Sequence, residues 1–191
     1  KFIKALVKKG IDSEAWLGAN PQTYTTKHVP GKRVHVRLET DPLKVLEMGN
    51  YFDTCLSFGD FNSFSTVANA TDLNKRVLYA IDQRDNVIGR KLIAINTDFE
   101  LVGFRTYTSV ETREGRNELR KIILDYIRDF SKSLGLSLSS TGEVAILACE
   151  NWYNDGLVPW SSEPKARSRE TKGSQHLSGS QCSRIQSCPD P

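Results

Sequence analysis

Hydrophobic and polar positions keep two different periods along the middle of the chain. Apolar runs at 77–81, 87–95 and 101–108 have strand length and strand composition. Asp82-Gln83-Arg84-Asp85-Asn86 and Asn96-Thr97-Asp98 separate them, and these turn formers predict an antiparallel three-strand meander. After a polar loop the period lengthens. Leu119, Ile122, Ile123, Tyr126, Ile127, Phe130 and Leu134 recur at helical spacing, with Arg120, Lys121, Asp125, Arg128, Asp129 and Lys132 on the other side. Gly135 is a natural stop for that long amphipathic helix.

The flanking stretches are shorter. Residues 2–10 predict a helix closed by Gly10, and 13–17 a further turn. The polar stretch from Asn20-Pro21 to Pro30-Gly31 predicts a loop. Val34, Val36 and Leu38 alternate with Arg33, His35 and Arg37, a half-buried strand. Thr40-Asp41-Pro42 opens a helix with Leu43, Val45, Leu46 and Met48 on its apolar side. In 51–64, Phe52, Phe58, Phe61 and Phe64 are expected to plug a compact loop into the core. A short helix over 63–73 follows, with Asn69 and Asn74 as end caps. Beyond Gly135, a strand is expected at 136–139, a helix at 143–153 packing through Val144, Ile146, Leu147 and Trp152, and a strand at 157–160. Residues 161–191 hold little apolar material beyond Leu177 and Ile185, which predicts disorder. The expected organisation is an N-terminal helix and loop over 1–31, a domain over 32–160 and a disordered tail over 161–191.

Charge alters this picture little. The net +3 includes +2 from the tail alone, where five basic side chains face three acidic ones. No basic stripe with interleaved aromatics marks a nucleic-acid surface. No apolar run reaches the ~18 residues of a membrane span. The four cysteines include no CxxC pair, so a reduced, cytoplasmic setting is the default expectation. The chain opens at Lys1, as a fragment of a longer protein would.

Two site chemistries can be drawn from residues alone. Cys55 would be a nucleophile if His28 or His35 stood beside it, though an inert buried thiol is the plainer reading. Asp53, Asp60, Asp72 and Asn62 have no metal-ligand spacing, and turn or surface roles are expected for them.

The element order offers more. Strand, two helices, three-strand meander, helix, strand, helix, with Thr112-Arg113-Glu114-Gly115-Arg116-Asn117 after the third meander strand, resembles the GCN5-related N-acetyltransferase (GNAT) superfamily. Arg113 and Gly115 match that family's Arg/Gln-x-x-Gly-x-Gly/Ala in part, at shorter spacing and with Asn117 as the last residue. Asn151-Trp152-Tyr153 with Gly156-Leu157 is similar to its C-terminal Tyr-x-x-x-Gly-Phe. The resemblance implies an α+β fold, a mixed and mainly antiparallel sheet flanked by helices, of the acyl-CoA N-acyltransferase type. It implies acetyl-CoA or another acyl-CoA as cofactor and a small-molecule or peptide amine as acceptor. Arg113, Gly115, Arg116 and Asn117 would hold the diphosphate at a helix N-terminus. The backbone of Tyr107, Thr108 and Ser109 would carry the pantetheine arm, Glu111 or Glu39 would be general base, and Tyr153 would protonate the thiolate. The alternative is a catalytically inactive interaction domain on the same fold.

Overall fold

A computed structural model describes residues 1–154, 156–158 and 160. Two short helices open the chain, α1 (Phe2–Lys8) and α2 (Ser13–Leu17); Asp12 caps α2 by accepting from the Glu14 and Ala15 amides. The hairpin β1 (Gln22–Thr25) and β2 (Arg33–Leu38) follows, then α3 (Pro42–Leu46) and α4 (Ser65–Thr71). Next come β3 (Lys75–Ile81), β4 (Val87–Ile95), β5 (Leu101–Thr108) and the 22-residue α5 (Arg113–Leu134). The five strands form one antiparallel sheet in sequence order. The molecule is therefore mixed α+β. After α5 the chain returns to the outer edge of β5 through two isolated bridges, a parallel one at Leu138 to Leu101 and an antiparallel one at Leu157 to Phe104.

The sheet divides two cores. On one face Val34, Val36, Leu38, Leu78, Ile93 and Leu101 meet the apolar stripe of α5. Leu6 and Trp16 of the first two helices belong to that same core, and Trp16 stacks on Phe130 at 6.3 Å. The α5 stripe is buried as its periodicity requires, and Gly135 ends the helix at φ +71°. On the other face Val77, Tyr79, Leu92 and Phe104 meet Val45, Met48, Leu56, Val144 and Trp152.

Several expectations change here. The stretch read as loop contains β1, paired with β2 from Gln22↔Val36 to Thr25↔Arg33. As an edge strand it brings only Tyr24 partly onto the core, so it carries no alternation. Residues 143–153 are not helical. The Asp72 carboxylate accepts the amides of Leu147, Ala148 and Cys149, and Asn74 and Lys75 donate to the Ala145 carbonyl. Side chains thus satisfy the backbone that a helix would have satisfied. Val144 and Trp152 are buried as expected, but Leu147 is exposed. The strands expected at 136–139 and 157–160 reduce to single bridges. In the aromatic loop Phe58 and Phe61 are 72% and 60% exposed, and Leu56 fills the core instead. Asn69 is no cap: it donates to the Ser65 carbonyl and accepts from the Trp152 indole inside the core. The tail at 161–191 lies outside the described residues.

Candidate functional site

The junction of β5 with α5 is built from a strand end, a four-residue loop and a helix start. Thr112 caps α5, its hydroxyl accepting from the Gly115 amide at 3.2 Å. The Arg116 amide donates to the Thr112 carbonyl. The amides of Arg113 and Glu114 have no acceptor among the described residues, and they sit at the positive end of a 22-residue helix. Arg113, Glu114 and Asn117 face solvent. Arg116 instead turns back, its guanidinium donating to the Val110 carbonyl at 3.3 Å and to the Glu111 carbonyl.

Gly115 proves to be a packing glycine. A Cβ there would stand 2.6 Å from Val110 Cγ1 and 2.8 Å from the His28 carbonyl oxygen. The 26–30 loop crosses the helix start at this point. Glu118 fixes it, accepting from the Lys27 and His28 amides at 2.8 and 2.7 Å. Burial, the largest influence, raises the carboxyl pKa, but those two amides together with the His28 charge and the Val29 amide hold it below the ordinary value.

Along β5 the pantetheine candidates differ among themselves. The Ser109 amide continues the ladder to the Ile88 carbonyl at 3.2 Å. The Thr108 hydroxyl accepts from the Val110 amide. Tyr107 is half-buried, with the Arg90 guanidinium 4.4 Å and the Arg105 guanidinium 5.5 Å from its ring centre. Further back, β5 takes three residue steps from Gly103 to Thr106 where β4 takes two, so β5 carries a bulge. Lys91, 1% exposed, sits against that bulge, donating to the Phe104 carbonyl at 2.6 Å and the Thr106 hydroxyl at 3.0 Å.

The three candidate catalytic groups are not gathered in one place. Glu111 is exposed at the α5 end. Tyr153 is half-buried near the bulge: the neighbouring Trp152 meets Phe104 at 5.4 Å, and Ser65 bonds both the amide and the carbonyl of Tyr153. Glu39 shares the bulge's row, opposite Val77 and Leu92, but three strand spacings away, about 14 Å. Its carboxylate accepts from the Thr40 and Asp41 amides at 2.9 Å and from Arg37 at 3.1 Å. It borders a crevice of about 120 Å³ in which Arg76 binds the Leu17, Gly18 and Glu39 carbonyls.

The other candidates also fall apart. Cys55 is half-buried in the aromatic loop. His35 is bonded to Thr23 on the β1–β2 hairpin, and the His28 amide, in the loop between those strands, to Glu118 of α5. Among the described residues no three His, Cys, Asp or Glu side chains gather as a metal site needs. Asp72, expected on the surface, is buried and paired with Lys75 at 2.5 Å. Burial alone would raise its pKa, but Lys75 and the Leu147 and Ala148 amides hold it below the ordinary value. Sequence reasoning missed Arg90, Lys91 and Lys75 as interior groups, though cations inside apolar strand runs were a visible signal.

No protein-family model, curated protein or solved structure matches the chain.

Proposed function

We propose that the chain is an acyl-CoA-dependent N-acyltransferase of the GNAT type. One observation carries this reading: bulged β5 hands over within four residues to the N-terminus of α5, where two amides lack acceptors among the described residues beside an exposed arginine. A diphosphate fits that place by its charge and its need for N–H donors. The order strand, two helices, meander and long helix supports the same reading. Arg113 and the Arg113 and Glu114 amides hold the diphosphate, and the pantetheine arm runs back along β5 toward the bulge. Gly115 and Arg116 shape the loop rather than touch the ligand.

The reaction places an amine against the thioester carbonyl. The C–N bond forms, the C–S bond breaks, and the leaving sulfur takes its proton from the Tyr153 phenol, which solvent reprotonates. The surplus amine proton passes to water, because Glu111 stands at the diphosphate end and Glu39 about 14 Å across the sheet.

Calorimetric titration with acetyl-CoA tests the binding half. Saturable heat is expected, and Arg113→Glu should weaken binding at least about tenfold by putting a like charge at the diphosphate. Gly115→Glu would be a poor probe, since its side chain would collide with the His28 carbonyl. Thiol release in the presence of small amines and peptides tests the catalytic half. A flat titration at millimolar ligand contradicts the reading.

A second reading, a catalytically inactive interaction domain, is favoured by the full hydrogen bonding of Glu39 and by the exposed Phe58 and Phe61. It predicts no thiol release with any amine, whether or not CoA binds.

A further inference from the structure

Strand β1 leaves one side of its backbone open. The Thr26 amide donates to the Lys32 carbonyl, so in the same register Tyr24 with Val34 and Gln22 with Val36 exchange hydrogen bonds. The far side of β2 agrees. The Glu39 amide donates to the Val77 carbonyl, so Arg37 and His35 bond to β3, which leaves Val36 and Val34 to β1. The N–H and C=O groups of Thr23 and Thr25 therefore point outward, and no partner meets them among the described residues. Gln22, Thr23 and Thr25 are exposed. The strand has neither a charged side chain nor a bulge, two of the devices that usually close an edge. The hairpin's two faces also differ. Thr23 and Thr25 share the face away from α5 with Arg33 and His35, and Arg33 lies directly across Thr25. The Arg33 guanidinium has no carboxylate partner among the described residues, nor have the Lys27 and Lys32 ammonium groups at the same end of the strand. On the α5 face Tyr24 packs against the core, and the nearby Asp129 and Asp125 charges add to the rise that burial causes in its pKa.

We infer that β1 is a docking edge for an extended acidic segment of another protein, which adds to the sheet as a sixth strand. Thr23 and Thr25 offer two donors and two acceptors, a ladder for about four residues of the incoming chain. Side chains opposite Thr23 and Thr25 fall on the face away from α5. The small threonines let Arg33 and His35 reach over β1 to them, so carboxylates are selected there. Side chains at the alternate positions fall beside Tyr24, Asp125 and Asp129, where an apolar group is favoured and a carboxylate repelled. The segment recognised thus alternates acidic and apolar residues. Charge sets this partner apart from other occupants. A second copy pairing β1 with β1 would place like charges on both sides of the new pairing, and the tail at 161–191 is itself net basic. The docking edge does not depend on the acyl-CoA reading.

The test uses the full chain, with a synthetic peptide alternating glutamate and valine as probe and its lysine–valine counterpart as control. Calorimetry should show saturable binding of the acidic peptide alone, weakening as salt rises. Arg33→Glu should weaken it at least about tenfold. Thr23→Pro removes an outward N–H without touching the bonds to β2, and should weaken it at least about fivefold. Amide hydrogen exchange on the unaltered chain gives a readout that needs no variant, and it decides if either variant fails to fold by circular dichroism. On saturation the Thr23 and Thr25 amides become protected, while the Gln22 and Tyr24 amides, already bonded to β2, stay as they were. No binding, equal binding of both peptides, or binding with Thr23 and Thr25 exchange unchanged overturns the docking edge. Protection of those two amides before peptide is added overturns it as well. If that protection grows with protein concentration, a second copy holds the edge; if it does not, the chain's own tail does.

Discussion

The two faces of the sheet are held by different physics. The α5 face is mostly apolar and regular: one 22-residue helix lays a single stripe of aliphatic and aromatic side chains on alternate strand positions. Its stability rests on area removed from water, which is tolerant of detail. The opposite face has two helices of five and seven residues, a long loop and an extended return segment. Polar groups hold it. Asp72 and Lys75, both fully buried, organise the 145–149 backbone; Asn69 ties α4 to Trp152; Arg90 reaches the Met48 carbonyl at 2.8 Å. Such a network depends on every partner being present. The difference predicts that the first face fails gradually and the second abruptly.

Asp72→Ala should show the abrupt case. It leaves the Lys75 ammonium buried without its carboxylate and frees three backbone amides, a cost of about 3–5 kcal/mol in chemical denaturation. An effect below that of an ordinary surface change would break the comparison. On the other face Ile123→Ala should cost about 3 kcal/mol, with a full cavity expected because Ile123 is wholly buried. Acid should separate the faces again. The folded-state pKa of Asp72 lies below its unfolded value, so its contribution is complete above the unfolded pKa near ~4 and is lost as pH falls through the folded one. Denaturation midpoints between pH 5 and pH 2.5 should fall less steeply in an Asp72→Asn, Lys75→Met double variant than in wild type. Thr112→Ala removes the α5 cap and should cost about 1 kcal/mol, measured in the same assay. The exposed Lys121–Asp125 pair on α5 should matter least, about 0.3–0.5 kcal/mol on Asp125→Ala.

The same contrast explains what could be read from the residues alone. Leu119 through Leu134 announce α5, and the turn residues announce the meander, because burial there follows the period of the element itself. Residues 143–153 have helical spacing too, yet their amides bond to Asp72, seventy-odd positions earlier, and no local pattern encodes that. Strand β1 was invisible because three of its four residues are exposed and only Tyr24 packs against the core. Gly115 was legible as a glycine at the right place. Its close neighbour, the His28 carbonyl, is a tertiary fact that changes its meaning from ligand contact to packing. Glu39 lies just past the end of β2, held by the Thr40 and Asp41 amides, and Tyr153 lies in the return segment, its amide held by Ser65; no local pattern encodes that separation.

The β5–α5 junction remains the place where the account is most exposed. Backbone amide resonances followed during titration with acetyl-CoA give the most direct measurement. The account predicts saturable shifts at Arg113 and Glu114, extending back along β5 to the bulge at 103–106, with the far crevice around Arg76 unmoved. Shifts confined to the aromatic loop at 51–64, or none at millimolar ligand, would contradict it.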